Sequence, residues 1–272
     1  MTSPARVAIQ GERGAYSEQA ALALYGPEAD IVPRRSLQDV FAALRDGEAD
    51  AAAVPVENSR AGTIVETYDL LLAHRFQVTG EYRLRVRHCL LGLQGSRLDE
   101  IRRAYSHPQA LAQCRTFLDR HAIAPESAYD TAGSAQNLAR LGDRSAAAIA
   151  SRRAAELFGL AVLAEGIEDR DDNVTRFLAV GPPPTLAQGP GRSLVAFTVP
   201  NEPGSLHRCL EPFARHGCNL SKLESRPDQE SPFAYVFYLD VDGHAAEPAL
   251  AQALGELSAV ASSVRVLGSF GC

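Results

Sequence analysis

The 272-residue chain has a single lysine, Lys222, among its 27 lysine and arginine residues. A lysine Schiff base, and with it pyridoxal-phosphate chemistry, would depend on that one side chain. Lys222 lies outside the polar motifs described below, and no segment has the spacing of a metal or dinucleotide site. We therefore expect no metal and no organic cofactor.

Paired cysteines and long apolar runs are also absent. The five cysteines are widely spaced and include no Cys-x-x-Cys pair, which argues against a zinc site and a disulfide framework. No apolar run reaches the ~20 residues that span a bilayer. The first residues enter a strand-like Val7–Ile9 without the apolar core of a signal peptide. The sequence therefore predicts a reduced, cytoplasmic protein.

The charge is modest, with a net value of −6, a pI near 5.7 and no cluster of basic residues. Nucleic acid and anionic membranes are poor partners for such a chain. Hydrophobic residues make up 46% and charged residues 22%, as in soluble globular proteins, and the length suffices for about two domains.

A stretch rich in proline and glycine, from Gly181 to Gly191, is typical of a semi-rigid linker. Before it, short apolar runs alternate with helical patterns, which predicts an α/β fold with parallel sheets. The predicted strands are 6–10, 29–32, 50–56, 102–105, 127–129, 146–150 and 175–180, and the predicted helices are 17–25, 36–45, 64–73, 108–120, 133–141 and 151–158.

We expect two such α/β groups, joined by an extended stretch at 77–93, with the strand at 175–180 returning to the first group. Ligands of open α/β sheets bind beyond the carboxyl ends of strands, so the cleft between the groups is the expected site. After the linker, the pattern predicts strand 193–199, helix 205–216, strands 218–224 and 233–240, helix 247–257 and strand 263–267. This βαββαβ order is ferredoxin-like. The expected domains are 1–181 and 192–272, with a linker at 182–191.

Two polar segments each follow a predicted strand and lead into a predicted helix. In residues 11–20, Ser17 would cap a helix whose N-terminus attracts a carboxylate. In residues 54–63, Glu57, Asn58 and Ser59 come at the carboxyl end of a buried strand. An Asx-turn and a cap would explain Asn58 and Ser59 without a ligand, but not the acidic Glu57.

Residues 105–114 have the same design, with Ser106 at the predicted cap and Gln113 on the helix that follows. A lone histidine such as His107 is more often a turn or core residue than a catalyst. Residues 130–135 repeat the strand-to-helix arrangement.

Thr175, Arg176 and Phe177 place a hydroxyl, a fixed cation and an aromatic ring on consecutive residues. An arginine guanidinium binds carboxylates bidentately, and a hydroxyl donates hydrogen bonds to a leaving group. The triplet therefore suits an anionic substrate.

Together these segments resemble, in order and spacing, the catalytic domain of prephenate dehydratases, from Gly11 to Phe177. The shared motifs are Gly-x-Tyr-Ser-Glu-Gln-Ala, Val-Pro-Val-Glu-Asn-Ser, His-Cys-Leu, Ser-His-Pro-Gln-Ala, Asp-Thr-Ala and Asn-x-Thr-Arg-Phe. Residues 201–206 and 224–227 resemble the two signatures of the ACT regulatory domain, from which Ser205 and His207 depart. The resemblance implies a two-lobed catalytic domain like type II periplasmic binding proteins, followed by an ACT domain.

The resemblance implies decarboxylating dehydration of prephenate to phenylpyruvate, under allosteric control by phenylalanine. Thr175 would be the essential hydroxyl and Arg176 would bind a substrate carboxylate. The implied catalytic residues are Thr175, Arg176, Phe177, Glu57, Asn58, Ser106 and Gln113. The implied substrate-binding residues are Ser17, Ser59, Gly62, His107, Thr131 and Ser134.

The resemblance further implies a homo-oligomer, either a dimer or a tetramer, that forms through the ACT domains. Phenylalanine would bind where two ACT domains pair. The implied effector contacts are Asn201, Pro203, Gly204, Ser205, Leu206, Asn219, Leu220, Glu224, Ser225, Arg226 and Pro227. Three alternatives stay open: an arogenate dehydratase, a non-catalytic two-lobed binding or sensing protein, and an ACT domain that serves assembly alone.

Overall fold

The computed structural model describes residues 4–182, 191–227 and 235–271. The chain divides into two compact units, Met1–Thr67 with Tyr82–Phe177, and Tyr68–Glu81 with Leu178–Cys272. Most of the predicted linker, 183–190, lies outside the described residues, as does Phe233 at the start of one predicted strand.

The described part of the chain contains fifteen strands and nine α-helices. The strands are β1 (Arg6–Gln10), β2 (Asp30–Arg34), β3 (Ala51–Asn58), β4 (Gly62–Thr63), β5 (Val78–Arg85), β6 (Cys89–Gly92), β7 (Arg103–Ser106), β8 (Ala124–Ser127), β9 (Ala146–Ala150), β10 (Ala161–Glu165), β11 (Val174–Val180), β12 (Gly191–Thr198), β13 (Leu220–Pro227), β14 (Tyr235–Asp242) and β15 (Ser263–Gly271). The helices are α1 (Tyr16–Tyr25), α2 (Leu37–Arg45), α3 (Val65–His74), α4 (Pro108–Gln113), α5 (Arg115–Arg120), α6 (Thr131–Leu141), α7 (Arg152–Phe158), α8 (Ser205–Arg215) and α9 (Pro248–Val260).

The first unit contains two lobes, each built on its own sheet. In the first lobe β1 pairs in parallel with β2 and β3, and β11 lies beside β3, so the chain returns to this lobe as predicted. In the second lobe the strand order is β10-β6-β9-β7-β8. The predicted α/β class with parallel strands is therefore confirmed.

The second lobe is mixed, since β6 and β10 run antiparallel to their neighbours while β7 is parallel to β8 and β9. Strand direction cannot be seen in the sequence, because a strand buried on both faces is a continuous apolar run in either orientation. Successive residues of β6 serve opposite faces. Leu90 packs with Leu118, and Leu91 packs with Leu138.

The starts of two helices differ from the sequence prediction. The residue before α1 is Ala15, and the Glu18 carboxylate, in place of Ser17, accepts a hydrogen bond from the Gly14 N–H. The residue before α4 is His107, whose ring accepts from the Gln109 N–H at 3.2 Å, so Ser106 is not the cap. A nearby carboxylate or imidazole competes successfully with a serine for exposed helix N–H groups.

Other differences concern element boundaries. The predicted helix 108–120 is two helices that meet at Cys114. The strand predicted at 127–129 lies at 124–127, and β10 was absent from the prediction. Exposed or half-buried strands such as these have no clear apolar alternation.

In the second unit, β12, α8, β13, β14, α9 and β15 follow in the predicted βαββαβ order. The strands pair antiparallel in the order β13-β14-β12-β15. Phe213 of α8 and Leu257 of α9 join Val195 and Leu239 of the sheet in one buried cluster. The ferredoxin-like arrangement is therefore confirmed, with β13 at one end of the described strands.

The two lobes of the first unit meet at Gly14, in the loop before α1. Its carbonyl accepts a hydrogen bond from Ser151 Oγ at 2.7 Å, and the Arg153 guanidinium lies 3.3 Å from the buried Glu18 carboxylate. Gly14 has φ +89°, and an added Cβ would lie 3.1 Å from the Cα of Ala154. The loop therefore requires glycine both for its backbone conformation and for this close approach.

We predict that Gly14→Ala lowers the free energy of unfolding by more than the roughly 1 kcal/mol that positive φ costs an alanine. The control is Gly47→Ala, where φ is +71° but no atom lies within 4 Å of the added Cβ. Thermal denaturation of both variants measures the difference. Equal losses would show that the contact with Ala154 adds nothing to the backbone cost.

Candidate active site

A cavity of about 310 Å³ lies in the first unit and is lined by residues of both lobes. Its volume falls within the range of small-molecule sites. The loops after β1, β3, β7 and β8 supply much of the wall, at the carboxyl ends of these strands, where ligands of α/β proteins bind. The lining residues are Tyr16, Asn58, Ala61, Ile64, Val86, His88, His107, Gln109, Ala110, Gln113, Asp130, Thr131, Asn173 and Thr175.

Three side chains of the first lobe form a hydrogen-bonded group on this wall. Asn58 Nδ2 donates to Thr175 Oγ1 at 2.8 Å and to Asn173 Oδ1 at 2.7 Å. All three residues are at most 9% exposed. Buried polar groups of this kind stay in place because an unpaired partner would be costly. The Thr175 hydroxyl is therefore held in a defined position at the cavity.

The series of side-chain hydrogen bonds continues into the second lobe. Asn173 Nδ2 donates to Gln113 Oε1 at 3.0 Å, and that oxygen lies 2.9 Å from His88 Nε2. On the other side of the ring, His88 Nδ1 lies 2.9 Å from the Tyr16 hydroxyl oxygen, which also lies 2.8 Å from the Arg87 carbonyl oxygen. The phenol has one hydrogen for these two partners. Thr175 and Tyr16 are thus joined through a continuous series of polar contacts.

Burial sets the protonation of the two ring groups. Burial lowers the pKa of His88, against a smaller opposing effect of the Gln113 hydrogen bond, so the imidazole is neutral at pH 7. Burial also raises the pKa of the Tyr16 hydroxyl well above its ordinary value, which keeps the phenol protonated. These two groups of the wall are therefore neutral hydrogen-bonding groups.

Helix N-termini add positive potential to the cavity. Tyr16 and Thr131 are the first residues of α1 and α6, and His107 precedes the first residue of α4. The helix dipole attracts anions at such ends. At α6 the Asp130 carboxylate already accepts from the Gly133 N–H, and at α4 the His107 ring accepts from the Gln109 N–H, so these two helix starts are partly occupied.

A second cavity of about 280 Å³ adjoins the first, because both are lined by Gln109, Gln113 and Asn173. Its wall includes Arg60 and Arg170, which both pair with the Asp172 carboxylate, and also the acidic residues Glu168 and Asp169. The wall therefore offers arginine side chains for a carboxylate, but with no surplus of positive charge.

The structure brings five of the predicted site residues to the first cavity, namely Asn58, Gln113, His107, Thr131 and Thr175. Ser106 and Ser134 are buried and donate to the carbonyls of Ile149 and Asp130, both at 2.6 Å. Ser59 donates to the Asp172 carbonyl and accepts from the Val174 N–H. These serines hold backbone in place.

The remaining predicted residues lie off the cavity walls. Arg176 and Phe177 are buried, and strand alternation turns Arg176 to the face of β11 opposite Thr175. The same alternation separates Glu57 from Asn58 on β3, where Glu57 pairs in register with Thr63. Gly62 forms the exposed β3–β4 turn at φ +84°, and the neighbouring Tyr16 lines the cavity where Ser17 was expected.

The sequence prediction omitted three residues of the polar group, Tyr16, His88 and Asn173. All three belong to motifs that carried the family resemblance, so the signal was available in the sequence. The contacts of Tyr16 with His88 and of Asn173 with Gln113 join segments that are more than fifty residues apart, which no local pattern shows.

The second unit has a separate cavity of about 380 Å³ at the start of α8. The predicted effector residues Asn201, Gly204, Ser205 and Leu206 line it, together with Tyr235 and Phe237. The other predicted group, Asn219, Leu220 and Glu224–Pro227, lies at or beside β13, away from this wall. Within it, Asn219 donates to Asp242 at 2.7 Å and Arg226 pairs with Asp69 at 3.0 Å.

The described residues contain no cluster of three or more histidine, cysteine or acidic side chains arranged to hold a metal ion. None of the helices in the described ranges combines the length and the apolar character needed to cross a membrane.

Comparison with known proteins places these observations in a family. The model of the prephenate dehydratase family matches residues 7–185, and the ACT domain model matches residues 193–259. Arogenate dehydratase/prephenate dehydratase 2, chloroplastic, of Arabidopsis thaliana is 41% identical over 98% of this chain and 73% of its own length.

Two solved structures are similar over 98% of this chain. One is a prephenate dehydratase from Arthrobacter aurescens in complex with L-Phe, with 34% identity, a TM-score of 0.87 and 90% of its chain covered. The other is GqqA, described as a novel type of quorum quenching acylase, with 36% identity, a TM-score of 0.90 and 98% of its chain covered.

Proposed function

The chain belongs to the prephenate dehydratase family, and we propose that it converts prephenate to phenylpyruvate in phenylalanine biosynthesis. The observation that carries this proposal is the buried Thr175 hydroxyl, held by Asn58 on the wall of a cavity lined with neutral donors and helix N-termini. We further propose 1–181 as the catalytic domain, 182–191 as a linker and 192–272 as the ACT domain.

The reaction removes two groups from the prephenate ring. The bond between the ring and its carboxylate breaks and releases carbon dioxide, and its electron pair moves through the ring as the carbon–oxygen bond to the hydroxyl breaks. The departing hydroxide takes one proton and leaves as water, and the ring becomes aromatic. The protein must therefore bind two carboxylates and stabilise the leaving oxygen.

Thr175 suits the second task. An alcohol is too weakly acidic to release its proton outright, so its hydroxyl acts by donating a hydrogen bond that strengthens as charge develops on the leaving oxygen. The Gln113 amide, on the same wall, orients the substrate. Arg60 and the N-terminus of α1 are the groups proposed to bind the carboxylates, although Glu168 and Asp169 line the same wall as Arg60. Of the predicted roles, that of Arg176 as a carboxylate ligand is the least supported by its position.

Arogenate is the first alternative substrate, because it differs from prephenate by an amino group and the Arabidopsis relative carries both names. An acylase activity is the second, because GqqA is 36% identical. A threonine nucleophile requires an adjacent base, and the hydrogen-bond partner of Thr175 is the Asn58 amide. The site therefore favours dehydration.

The purified chain should convert prephenate, and Thr175→Ala should lower turnover by ~10²-fold or more while the protein stays folded. Parallel assays with prephenate, arogenate and an N-acylated substrate assign the substrate. Thr175→Ser keeps the hydroxyl and should retain most activity. Near-normal turnover in folded Thr175→Ala would remove this residue from the mechanism.

We predict that Arg60→Gln raises the KM for prephenate about tenfold, since it removes a cation from the cavity wall. The comparison variant is Arg176→Lys. The sequence predicts that it also raises the KM, because a lysine ammonium cannot bind a carboxylate bidentately as a guanidinium does. If Arg176→Lys alters only the melting temperature, Arg176 serves the fold. An unchanged KM in Arg60→Gln contradicts the assignment of Arg60.

We propose that phenylalanine is the effector and binds to the second unit. The loop at 201–206 and the rings of Tyr235 and Phe237 form a cavity with both polar backbone and apolar surface, as an amino acid with a phenyl ring requires. The predicted contacts on β13 would come from a second subunit, because they lie off this wall. We therefore propose a homo-oligomer in which ACT domains pair at the β13 edge.

Gly204→Ala should weaken phenylalanine binding, because Gly204 has φ +80° and an added Cβ would lie 3.3 Å from the Arg208 guanidinium. The control is Gly217→Ala, with φ +68° and no atom within 4 Å. Calorimetry measures binding, sedimentation measures mass, and inhibition is expressed relative to each variant's own uninhibited rate. If the wild-type chain shows neither heat nor inhibition at millimolar phenylalanine, the domain serves assembly alone.

A cytoplasmic location is also part of the proposal. It is supported by the cysteines Cys89, Cys114 and Cys209, which are buried as free thiols. Burial raises the pKa of Cys89 to about 11, which keeps that thiol protonated and unreactive. Such thiols are typical of reducing compartments.

A further inference from the structure

The direction of every hydrogen bond in the polar group follows from one end of it. Asn58 Oδ1 lies 3.0 Å from the Arg60 N–H and 2.9 Å from the Ala61 N–H. A backbone N–H can only donate, so the atom that faces both must be the amide oxygen. The Asn58 amide therefore cannot rotate, and its Nδ2 must face Asn173 and Thr175.

The orientation of the Asn58 amide fixes the orientation of the next side chains in the polar group. Because Asn58 Nδ2 donates to Asn173 Oδ1, the Asn173 amide must present Nδ2 to Gln113. Gln113 therefore presents Oε1, which also lies 2.9 Å from His88 Nε2. Because Gln113 Oε1 can only accept a hydrogen bond, His88 Nε2 must donate one, so Nε2 carries the proton. In the neutral ring Nδ1 is then an acceptor, so the single hydrogen of the Tyr16 hydroxyl points to Nδ1 and not to the Arg87 carbonyl, which lies 2.8 Å from the same oxygen.

Two donors of this series remain for the cavity. Thr175 Oγ1 accepts from Asn58, and none of the described residues accepts a hydrogen bond from the Thr175 hydroxyl. The Gln113 oxygen is taken by Asn173 and His88, so the amide nitrogen is the part of Gln113 available to a ligand. Reversing the series would set the Asn58 amide nitrogen against two backbone N–H groups.

We propose that Asn173 and His88 are positioning residues that, with Asn58, hold the Thr175 hydroxyl and the Gln113 amide as hydrogen-bond donors toward the substrate. The assignment of these donors to a leaving oxygen and a substrate oxygen rests on the proposed function. The orientation itself does not, because it follows from hydrogen bonds within the first unit. His88 keeps the Nε2-bound proton whether its ring is neutral or charged.

The tautomer of His88 tests the orientation directly. Nitrogen NMR of the full chain labelled with [15N]histidine should show His88 protonated at Nε2 and unprotonated at Nδ1 at pH 7.5–8. His88→Gln identifies the signal by its loss. A ring protonated at Nδ1 alone would overturn the proposal, whether or not the enzyme is active.

Asn173→Asp tests the passage of orientation along the group. The substitution keeps the shape of the side chain but places an acceptor opposite Gln113 Oε1, so the Gln113 amide should rotate. His88 Nε2 then faces a donor, and the ring should change to the Nδ1-protonated tautomer. Turnover should fall at least tenfold, with a smaller change in KM. The matched control is Asn137→Asp, the same chemical change on the exposed face of α6.

The outcomes separate this inference from the proposed function. Circular dichroism shows whether the Asn173→Asp variant is folded. A folded variant that keeps the wild-type tautomer and turnover contradicts this inference but leaves the proposed function intact. The expected tautomers in both proteins support it even if the wild-type chain fails to convert prephenate, in which case the proposed function is wrong. A fall in turnover equal to that of Asn137→Asp would reduce Asn173 to a structural residue.

Discussion

The side chain of Asn58 is the contact on which the site depends. Its oxygen closes the turn after β3 by accepting two backbone N–H groups, and its nitrogen holds the neighbouring strand β11 through Thr175 and Asn173. One amide thus fixes a turn, a strand end and the Thr175 hydroxyl. Because these atoms are buried, each lost hydrogen bond would leave a polar group unpaired, and the arrangement stays in place for that reason.

From Asn58 the polar contacts pass to the second lobe through Gln113 and His88. A second, independent junction is formed where Gly14 approaches α7 and Ser151 donates to its carbonyl. Hydrogen bonds therefore join the two lobes at two separate places. Catalysis by hydrogen-bond donation needs such preorganised donors, since groups that must reorient during the reaction lose much of their effect.

Under the proposed function, a dianionic substrate binds at a wall that has no lysine or arginine among the described residues and carries one carboxylate, that of Asp130. His88 is neutral because it is buried, and Arg176 lies off the wall. Helix N-termini contribute partial charges that cannot move or titrate, and Arg60 and Arg170 lie where the second cavity adjoins the first. Neutral donors beside the reacting ring and cations farther away suit a reaction in which one carboxylate leaves as neutral carbon dioxide.

The sequence alone determined the α/β class, the βαββαβ order after the linker, the family, and the segments from which the site is built. These depend on local patterns, namely apolar spacing and motifs at strand ends, which the chain carries residue by residue. Only the tertiary structure decided which side chain of each motif faces the cavity. Strand alternation brings Thr175 to the wall and turns Arg176 away, and Ser106 is used by a carbonyl of a neighbouring strand. Those choices depend on partners that are more than forty residues apart in the sequence, such as Ile149 for Ser106 and Thr175 for Asn58, and no local pattern contains them.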